Sequence, residues 1–268
     1  MAAFLGLSIV LDDGPSEGED ADNALDGTGV GLCWERATGL LVEYLLERAS
    51  LLEPPCHDRP AALELGAGVG VAGMLLARDA GLQVVLTDYH PVVLSRLEAA
   101  VARNHLDDRC RVQRLVFGDE RAAETICGEM PQGCPLIIGA ELAISEAVAA
   151  CLARTVRIFL SRRGVRTFIY AHQERFAVFR SAQGSVQVED EDGALRVFVE
   201  LLRSAGFGYR ELASVAATKD GSLAEGPLRL LAFGTEQVLA ELPVLQRASG
   251  TVLALSPQPP PNQRRSSF

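Results

Sequence analysis

Three glycines at alternate positions, Gly66, Gly68 and Gly70, are the residues of this chain best suited to hold a ligand. They follow residues 61–65, which have strand character, and residues 71–80 after them have helical spacing and no proline. This order predicts a strand, a tight turn and the start of a helix. Glycine allows positive φ and lacks the Cβ that would keep a ligand away from the backbone. By itself the turn fits a dinucleotide site, a phosphate cradle or a nucleoside site.

Two carboxylates narrow the chemistry. Asp88 ends the next apolar run and lies 18 residues after Gly70. An acidic residue at the end of the second strand of a doubly wound sheet holds ribose hydroxyls, so NAD and S-adenosylmethionine are both open. Glu64 lies two positions before the first glycine, where it would attract a cationic methionine group and repel a pyrophosphate. This charge, and the spacing G-x-G-x-G rather than G-x-G-x-x-G, favour S-adenosylmethionine.

The elements that must position these residues alternate between strand and helix patterns. We predict an α/β fold, with a Rossmann-like, doubly wound seven-stranded sheet that is mostly parallel and has an antiparallel C-terminal strand pair, plus an N-terminal extension. The predicted strands lie at about 61–65, 83–88, 111–117, 135–140, 165–171, 207–215 and 228–233.

Composition shifts divide the chain into three regions. Residues 1–31 are expected to form a short strand and an acidic flexible loop, 32–247 the main domain, and 248–268 a disordered tail rich in Pro, Gln and Ser.

The overall charge and the cysteines exclude several classes of function. A net charge of −10 disfavours nucleic acid as a partner, because phosphate neutralisation needs cations. The same charge suits a basic protein substrate, or simply solubility. No apolar run reaches the roughly 18 residues of a membrane span, and six cysteines without C-x-x-C spacing predict neither a zinc site nor a disulfide framework. We expect a monomer in the cytoplasm, or also in the nucleus, without metal or membrane partners.

A resemblance to a known family adds to these inferences. The stretch Glu64-Leu-Gly-Ala-Gly-Val-Gly70 resembles the first motif of class I, seven-β-strand methyltransferases. A narrower likeness covers about residues 25–235 and rests on Trp34 before a helix, Thr87-Asp88, Val116-Phe117-Gly118 and Gly139-Ala140-Glu141. Their order and spacing are similar to those of the protein-lysine methyltransferases that modify elongation factors, chaperones and similar soluble proteins. The resemblance implies S-adenosylmethionine as cofactor and such a protein as substrate.

The resemblance also implies a role for each matching residue. Trp34 would pack against the methionine end of the cofactor, and Asp88 would take the ribose hydroxyls. Phe117 stands where the family has tryptophan and would stack on adenine, while Ala140 would lie beside the sulfonium. The remaining expected cofactor contacts are Glu64, Gly66, Ala67, Gly68 and Tyr89.

One departure from the family pattern concerns the acceptor side. The family motif after the fourth strand is Asp-x-x-Tyr, and this chain has Glu141-Leu-Ala-Ile144. Glu141 keeps a carboxylate and is the expected catalytic residue, which would bind the lysine ammonium and orient the amine after it loses its proton. Ile144 replaces the tyrosine that shapes the lysine channel and cannot make a cation–π contact. Tyr89 and Tyr170 are the candidates to replace that ring.

Two histidines lie near the predicted crevice. His90 follows the ribose acid closely and is expected either to touch adenine or to cap a helix. His172 is expected to follow the fifth strand, either in contact with substrate or at the surface. No nucleophilic triad is expected, because the cofactor supplies the electrophile.

Other functions remain open at this point. An NAD-linked oxidoreductase would need the wider glycine motif and a Tyr-x-x-x-Lys pair, and the chain has one lysine, Lys219. A methyltransferase acting on a small molecule is the main alternative. A catalytically weakened module that only binds the cofactor is a further one, because of Ile144.

Overall fold

The structure, a computed structural model of the 268-residue chain, describes the residue ranges 2–4, 7–9, 36–48, 62–130, 136–180, 186–216 and 225–244. The strands are β1 (Ala2–Phe4), β2 (Leu7–Ile9), β3 (Ala62–Glu64), β4 (Val84–Asp88), β5 (Cys110–Arg114), β6 (Leu136–Ala140), β7 (Thr167–Arg175), β8 (Val178–Arg180), β9 (Val186–Val188), β10 (Gly208–Val215) and β11 (Glu225–Gly234). The helices are α1 (Arg36–Glu47), α2 (Val71–Asp79), α3 (Pro91–Arg103), α4 (Glu120–Glu129), α5 (Glu146–Leu160), α6 (Gly193–Ser204) and α7 (Glu236–Glu241).

Seven strands form the central sheet, in the spatial order β10-β11-β7-β6-β3-β4-β5. Pairing is parallel from β7 through β5, whereas β11 runs antiparallel to both β7 and β10. The predicted fold, including the antiparallel C-terminal pair, is therefore confirmed. The strand order reverses between β3 and β6, and open α/β sheets bind ligands at the carboxyl ends of the strands beside such a switch point.

Side chains of each central strand alternate between two hydrophobic cores, one on each face of the sheet. On β6, Ile138 joins the core built with α1, α2 and α3, whereas Ile137 joins the core built with α4, α5 and α6. On β7 the same alternation places Ile169 on the first face and Phe168 and Tyr170 on the second. Because helices cover both faces, these strands read as continuous apolar runs in the sequence.

Local side-chain caps fix where the helices begin. Ser145 and Asp192 accept hydrogen bonds from Val148 N and Leu195 N and so cap α5 and α6. His90 caps α3 through a bond from Val92 N, directly before Pro91 at the first helical position. The capping role considered for His90 is thus confirmed.

Several elements differ from the sequence prediction. The N-terminal region was expected to hold one strand, and the structure has the antiparallel pair β1 and β2. The helix α4 and the antiparallel pair β8–β9 were not predicted. The pair β8–β9 stands apart from the central sheet and exposes Val178, Phe179, Val186 and Val188. Within the described residues, no helix is both long and apolar enough to cross a membrane.

Gly73 on α2 offers a test of how closely this helix packs on the sheet. A Cβ at this position would lie 2.2 Å from Leu86 Cδ2 and 2.5 Å from Glu64 Oε2. We expect Gly73→Ala to destabilise the protein by about 1–3 kcal/mol, because overpacking outweighs the gain of about 1 kcal/mol in helix propensity. Urea unfolding measures the difference.

The matched control is Gly128→Ala on α4, where a Cβ would meet nothing within 4 Å. This variant should be as stable as the parent or up to about 1 kcal/mol more stable. Equal stability of the two variants would contradict the close approach of α2 to β3 and β4.

Candidate functional site

The glycine turn connects β3 to α2 with the backbone conformation that the sequence predicted. Gly66, Gly68 and Gly70 have φ values of 56°, 53° and 73°, in the left-handed region that side chains with a Cβ rarely adopt. At Gly66 a Cβ would also lie 2.5 Å from Leu142 Cδ2. The turn is fastened to the neighbouring strand, since Ala67 N donates to Thr87 O at 2.7 Å.

Asp88 at the end of β4 faces this turn. Its Oδ2 accepts a hydrogen bond from Gly68 N at 3.2 Å, and its Oδ1 accepts bonds from Tyr89 N at 2.7 Å and His90 N at 3.1 Å. The carboxylate is therefore held by three backbone amides in one orientation beside the glycines. The remaining acceptor positions of its two oxygens are the ones that ribose hydroxyls would use.

Glu64 is a buried carboxyl group at the other side of the turn. Its Oε2 accepts a bond from Gly73 N at 2.8 Å, and the residue is 5% exposed. Burial raises the pKa of Glu64 to about 8; the bond from Gly73 N opposes this shift and the negative charge of Asp88 adds to it. At neutral pH the group is thus largely protonated, and a nearby cation would favour its ionised form.

These residues line a cavity of about 450 Å³ at the carboxyl ends of β3, β4 and β6. This volume lies within the roughly 300–1,000 Å³ that ligand pockets usually have. Every predicted site residue in the described part of the chain lies on its wall: Glu64, Gly66, Ala67, Gly68, Asp88, Tyr89, Phe117, Ala140 and Glu141. The remaining predicted residue, Trp34, lies outside the described residues, although Thr38 on α1 lines the cavity.

Helix side chains that the sequence analysis did not single out complete the wall. Val93 comes from α3, and Ala147, Val148 and Cys151 come from α5. Val93, Ala147 and Val148 lie in the first turn of a helix, and Cys151 lies just beyond the first turn of α5. This position could have indicated them from the sequence, because the first helical turn after a parallel strand borders the crevice.

The segment 140–144, which we call the acceptor wall, closes the cavity on the side away from Asp88. Glu141 has a φ of 55°, an unusual value for a residue with a side chain. Its Oε1 accepts a bond from Gln173 N at 2.5 Å, and its Oε2 pairs with the guanidinium of Arg175. Ile144 is 60% exposed at the rim. Glu141 is therefore at the predicted place, but its carboxylate already has partners on β7.

The positions of His172 and Tyr170 differ from what was expected. His172 lies inside β7, which continues to Arg175, and it is fully buried rather than at the surface or at the crevice. Tyr170 is also fully buried, and its hydroxyl accepts hydrogen bonds from Leu142 N and Ala143 N. Tyr170 thus contacts the acceptor wall from behind and does not line the cavity.

Comparison with known sequences identifies the family. Residues 21–186, more than half of the chain, match the model of the lysine methyltransferase family. The chain belongs to the lysine methyltransferase family. The cofactor of this family is S-adenosylmethionine, and the protein is a methyltransferase that uses it. No curated protein sequence matches the chain.

Solved structures similar to this lysine methyltransferase family member are distant. A putative transferase from Pyrococcus horikoshii has a TM-score of 0.47 at 11% identity, over 76% of this chain and 66% of that one. The glycopeptide N-methyltransferase MtfA, complexed with S-adenosylmethionine, has a TM-score of 0.45 at 16% identity, over 73% and 93%. The methyltransferase domain of METTL16 has 0.46 at 12%, over 72% and 65%.

The described residues fit S-adenosylmethionine. Asp88 offers carboxylate oxygens for the ribose, and Gly66, Gly68 and Gly70 place no Cβ between a ligand and the backbone of the turn. Phe117 is half-buried on the cavity wall, with a ring face available to adenine. Glu64 offers an ionisable group to the cationic methionine part. Among the described residues, no group of three or more His, Cys, Asp or Glu is arranged to hold a metal ion.

Because Asp88 accepts hydrogen bonds from three backbone amides, we expect cofactor affinity to fall when its carboxylate is changed. Asp88→Asn should weaken S-adenosylmethionine binding by at least about tenfold, because an amide cannot accept bonds from Gly68 N, Tyr89 N and ribose hydroxyls at both of its ends. Titration calorimetry measures the affinity. Asp119→Asn, at the cap of α4, is the control and should bind normally. Unchanged affinity of Asp88→Asn would remove Asp88 from the cofactor site.

Because the pKa of Glu64 is raised, we expect binding of the cationic cofactor to release protons. A cation beside Glu64 lowers its pKa, so cofactor binding at pH 7 should release protons, and affinity should rise with pH until about pH 8. Calorimetry in two buffers of different ionisation enthalpy measures the release. Glu64→Gln corrects for the amino group of the cofactor, which titrates in the same range. Equal proton release by parent and Glu64→Gln would contradict the assignment.

Proposed function

We propose that this methyltransferase transfers the methyl group to the side-chain nitrogen of a lysine in a soluble protein. The observation that carries the proposal is a carboxylate, Glu141, on the wall of a cavity whose opposite side fits the cofactor. A carboxylate at this place suits an ammonium group, because it attracts the charge and accepts its hydrogen bonds.

The surroundings of Glu141 suit the alkyl part of a lysine side chain. Ala140, Leu142 and Ile144 on the acceptor wall and Val148 on α5 offer apolar surface beside the carboxylate. A chain of four methylene groups gains free energy when apolar side chains cover it. The net charge of −10 would also favour encounter with a basic protein.

The protein contributes orientation and charge to the reaction. When bound, S-adenosylmethionine supplies a methyl group on a cationic sulfur that a neutral amine can attack. Free lysine has a pKa near 10.4, so the acceptor must lose a proton before transfer. Glu141 would hold the ammonium on arrival. After one proton has left to solvent, Glu141 would accept a hydrogen bond from one of the two N–H groups of the amine and keep its lone pair in line with the methyl group. Arg175 would give up its place at Oε2 for the incoming ammonium.

An elongation factor or a chaperone as substrate remains a prediction from the family resemblance. A cytoplasmic or nuclear location remains a prediction from the cysteine pattern. A small-molecule acceptor and a module without transfer activity are the competing functions. The position of Ile144 and the existing pair of Glu141 with Arg175 are the features that favour them. The next experiment separates all three.

The test uses the full chain, labelled S-adenosylmethionine and an extract of cells from which the gene has been deleted, so that acceptor sites are unmethylated. Label that enters a protein band and is recovered as methyl-lysine after hydrolysis supports the proposal. Label in the small-molecule fraction would overturn the lysine assignment. Cofactor binding without any transfer would identify a binding module. The Asp88→Asn variant provides the background.

The contribution of the Glu141 carboxylate to turnover can be tested with a variant of the same size. Glu141→Gln should leave the affinity for S-adenosylmethionine within about twofold and lower turnover at least about a hundredfold, which corresponds to the loss of a charge-assisted contact to the acceptor. Turnover is measured on the labelled protein band.

The matched control is Arg175→Gln, which breaks the same ion pair and keeps the carboxylate. It should retain or increase turnover, since the Arg175 guanidinium then no longer competes with the ammonium for Oε2. Full activity of Glu141→Gln would remove Glu141 from the reaction. Equal losses in both variants would show that Glu141 acts only through the ion pair.

A further inference from the structure

Behind the acceptor wall, three buried polar side chains form a continuous hydrogen-bond chain. Tyr170 and His172 lie two positions apart on β7, and Asp192 precedes α6. The Tyr170 hydroxyl lies 2.8 Å from His172 Nδ1, and His172 Nε2 lies 3.0 Å from Asp192 Oδ2. Tyr170 and His172 have no exposed surface, and Asp192 is 6% exposed. The cofactor site does not use any of these groups.

The direction of each hydrogen bond follows from the partners. The Tyr170 oxygen accepts from Leu142 N at 3.2 Å and from Ala143 N at 2.9 Å, so its two lone pairs are occupied. Its own proton must then point to His172 Nδ1, which accepts it. His172 is therefore the neutral tautomer with the proton on Nε2, and this N–H donates to Asp192.

Asp192 stabilises this arrangement at its other end. Its Oδ1 accepts from Leu195 N at 2.9 Å, and its Oδ2 accepts from Arg175 N at 2.8 Å in addition to His172. Burial acts to raise the pKa of Asp192, but the bonds from His172 and the two amides outweigh burial and lower it. An ionised carboxylate fixes the histidine tautomer, and with it the direction of the whole chain.

Both ends of this chain reach the neighbourhood of Glu141. Through Tyr170 it holds the two amides that follow Glu141, and through Asp192 it holds the backbone of Arg175, which pairs with the Glu141 carboxylate. The side chain of Leu142 in turn fills the space above Gly66 and Gly139, where a Cβ would lie 2.5 Å from its methyl groups. The hydrogen-bond chain therefore sets, through Leu142, the distance between the acceptor wall and the glycine turn.

We propose that Tyr170, His172 and Asp192 are positioning residues of the acceptor site: they hold the acceptor wall so that Glu141 meets an ammonium at the methyl position of the cofactor. They touch neither the cofactor nor the acceptor. The proposal rests on the proposed function, because it assumes that Glu141 receives an ammonium.

Two cofactor analogues test this without a known substrate. S-Adenosylhomocysteine fills the cofactor side alone, whereas sinefungin carries an amine-bearing carbon where the methyl-bearing sulfur would be and so places an ammonium at the acceptor wall. The parent protein should bind sinefungin more tightly than S-adenosylhomocysteine. Tyr170→Phe should weaken sinefungin binding about tenfold and S-adenosylhomocysteine binding less than twofold, as measured by calorimetry.

A second variant and a control guard against a simple loss of stability. Asp192→Asn keeps the size of the side chain but removes its negative charge, and one end of an amide cannot accept a hydrogen bond, so His172, Arg175 N and Leu195 N can no longer all be satisfied. It should lower the same ratio of affinities. Thr167→Val is the control, because it removes a buried hydroxyl bond to Phe233 O at the amino end of the same strand. It should lower stability and leave the ratio unchanged.

The outcomes separate the two proposals. A preference for sinefungin in the parent that persists in Tyr170→Phe and Asp192→Asn would overturn the positioning role and leave the proposed function intact. No preference in the parent would show that Glu141 does not receive an ammonium, and would overturn both. Equal loss of affinity for both analogues in the variants would assign the three residues a purely structural role.

Discussion

The hydrogen bond from Gly68 N to the carboxylate of Asp88 is the contact on which the cofactor side of the site depends. It joins the turn after β3 to the end of β4, and the bonds from Ala67 N to Thr87 O and from Thr87 Oγ1 to Glu64 O strengthen the same junction. Two neighbouring parallel strands thus fix the relative position of a glycine-rich turn and an anionic group. Preorganisation of this kind lowers the ordering cost of binding.

The acceptor side is built by a different principle. The cofactor side relies on backbone amides close to the ligand, whereas the acceptor wall is held from behind by side chains of β7 and by the cap of α6. Glu141 in the left-handed region is strained by about 1–2 kcal/mol, and its bonds to Ala171 O and from Gln173 N offset this cost. The two halves of the site therefore have different supports, and they meet where Leu142 packs over Gly66.

Much of the fold and of the cofactor side could be predicted from the sequence. The glycine spacing, Asp88 and the seven strand patterns could be recognised because each depends on residues a few positions apart. The structure brings Glu64, the glycine turn, Asp88 and Phe117 to one cavity. The helix α4 was missed because its mean hydropathy is low and only three of its ten residues are buried.

The acceptor side could not be predicted to the same extent. His172 was placed beyond the fifth strand because Gln173, Glu174 and Arg175 are polar, yet β7 continues through them where it pairs with β11. The partners of Glu141 on β7 and the amides that donate to Tyr170 are about 30 residues away in the sequence, and spacing rules do not reach that far. Trp34 lies outside the described residues and stays a prediction.

The left-handed bend at Glu141 has a consequence for redesign. Because only residues 142–144 connect this bend to Ser145 at the cap of α5, inserting or deleting a residue between Glu141 and Ser145 would shift the acceptor wall relative to the helix. The ribbon β8–β9 has no such tie to the central sheet. Engineers who wish to graft a new recognition loop onto this enzyme should therefore lengthen the ribbon and keep the bend as it is.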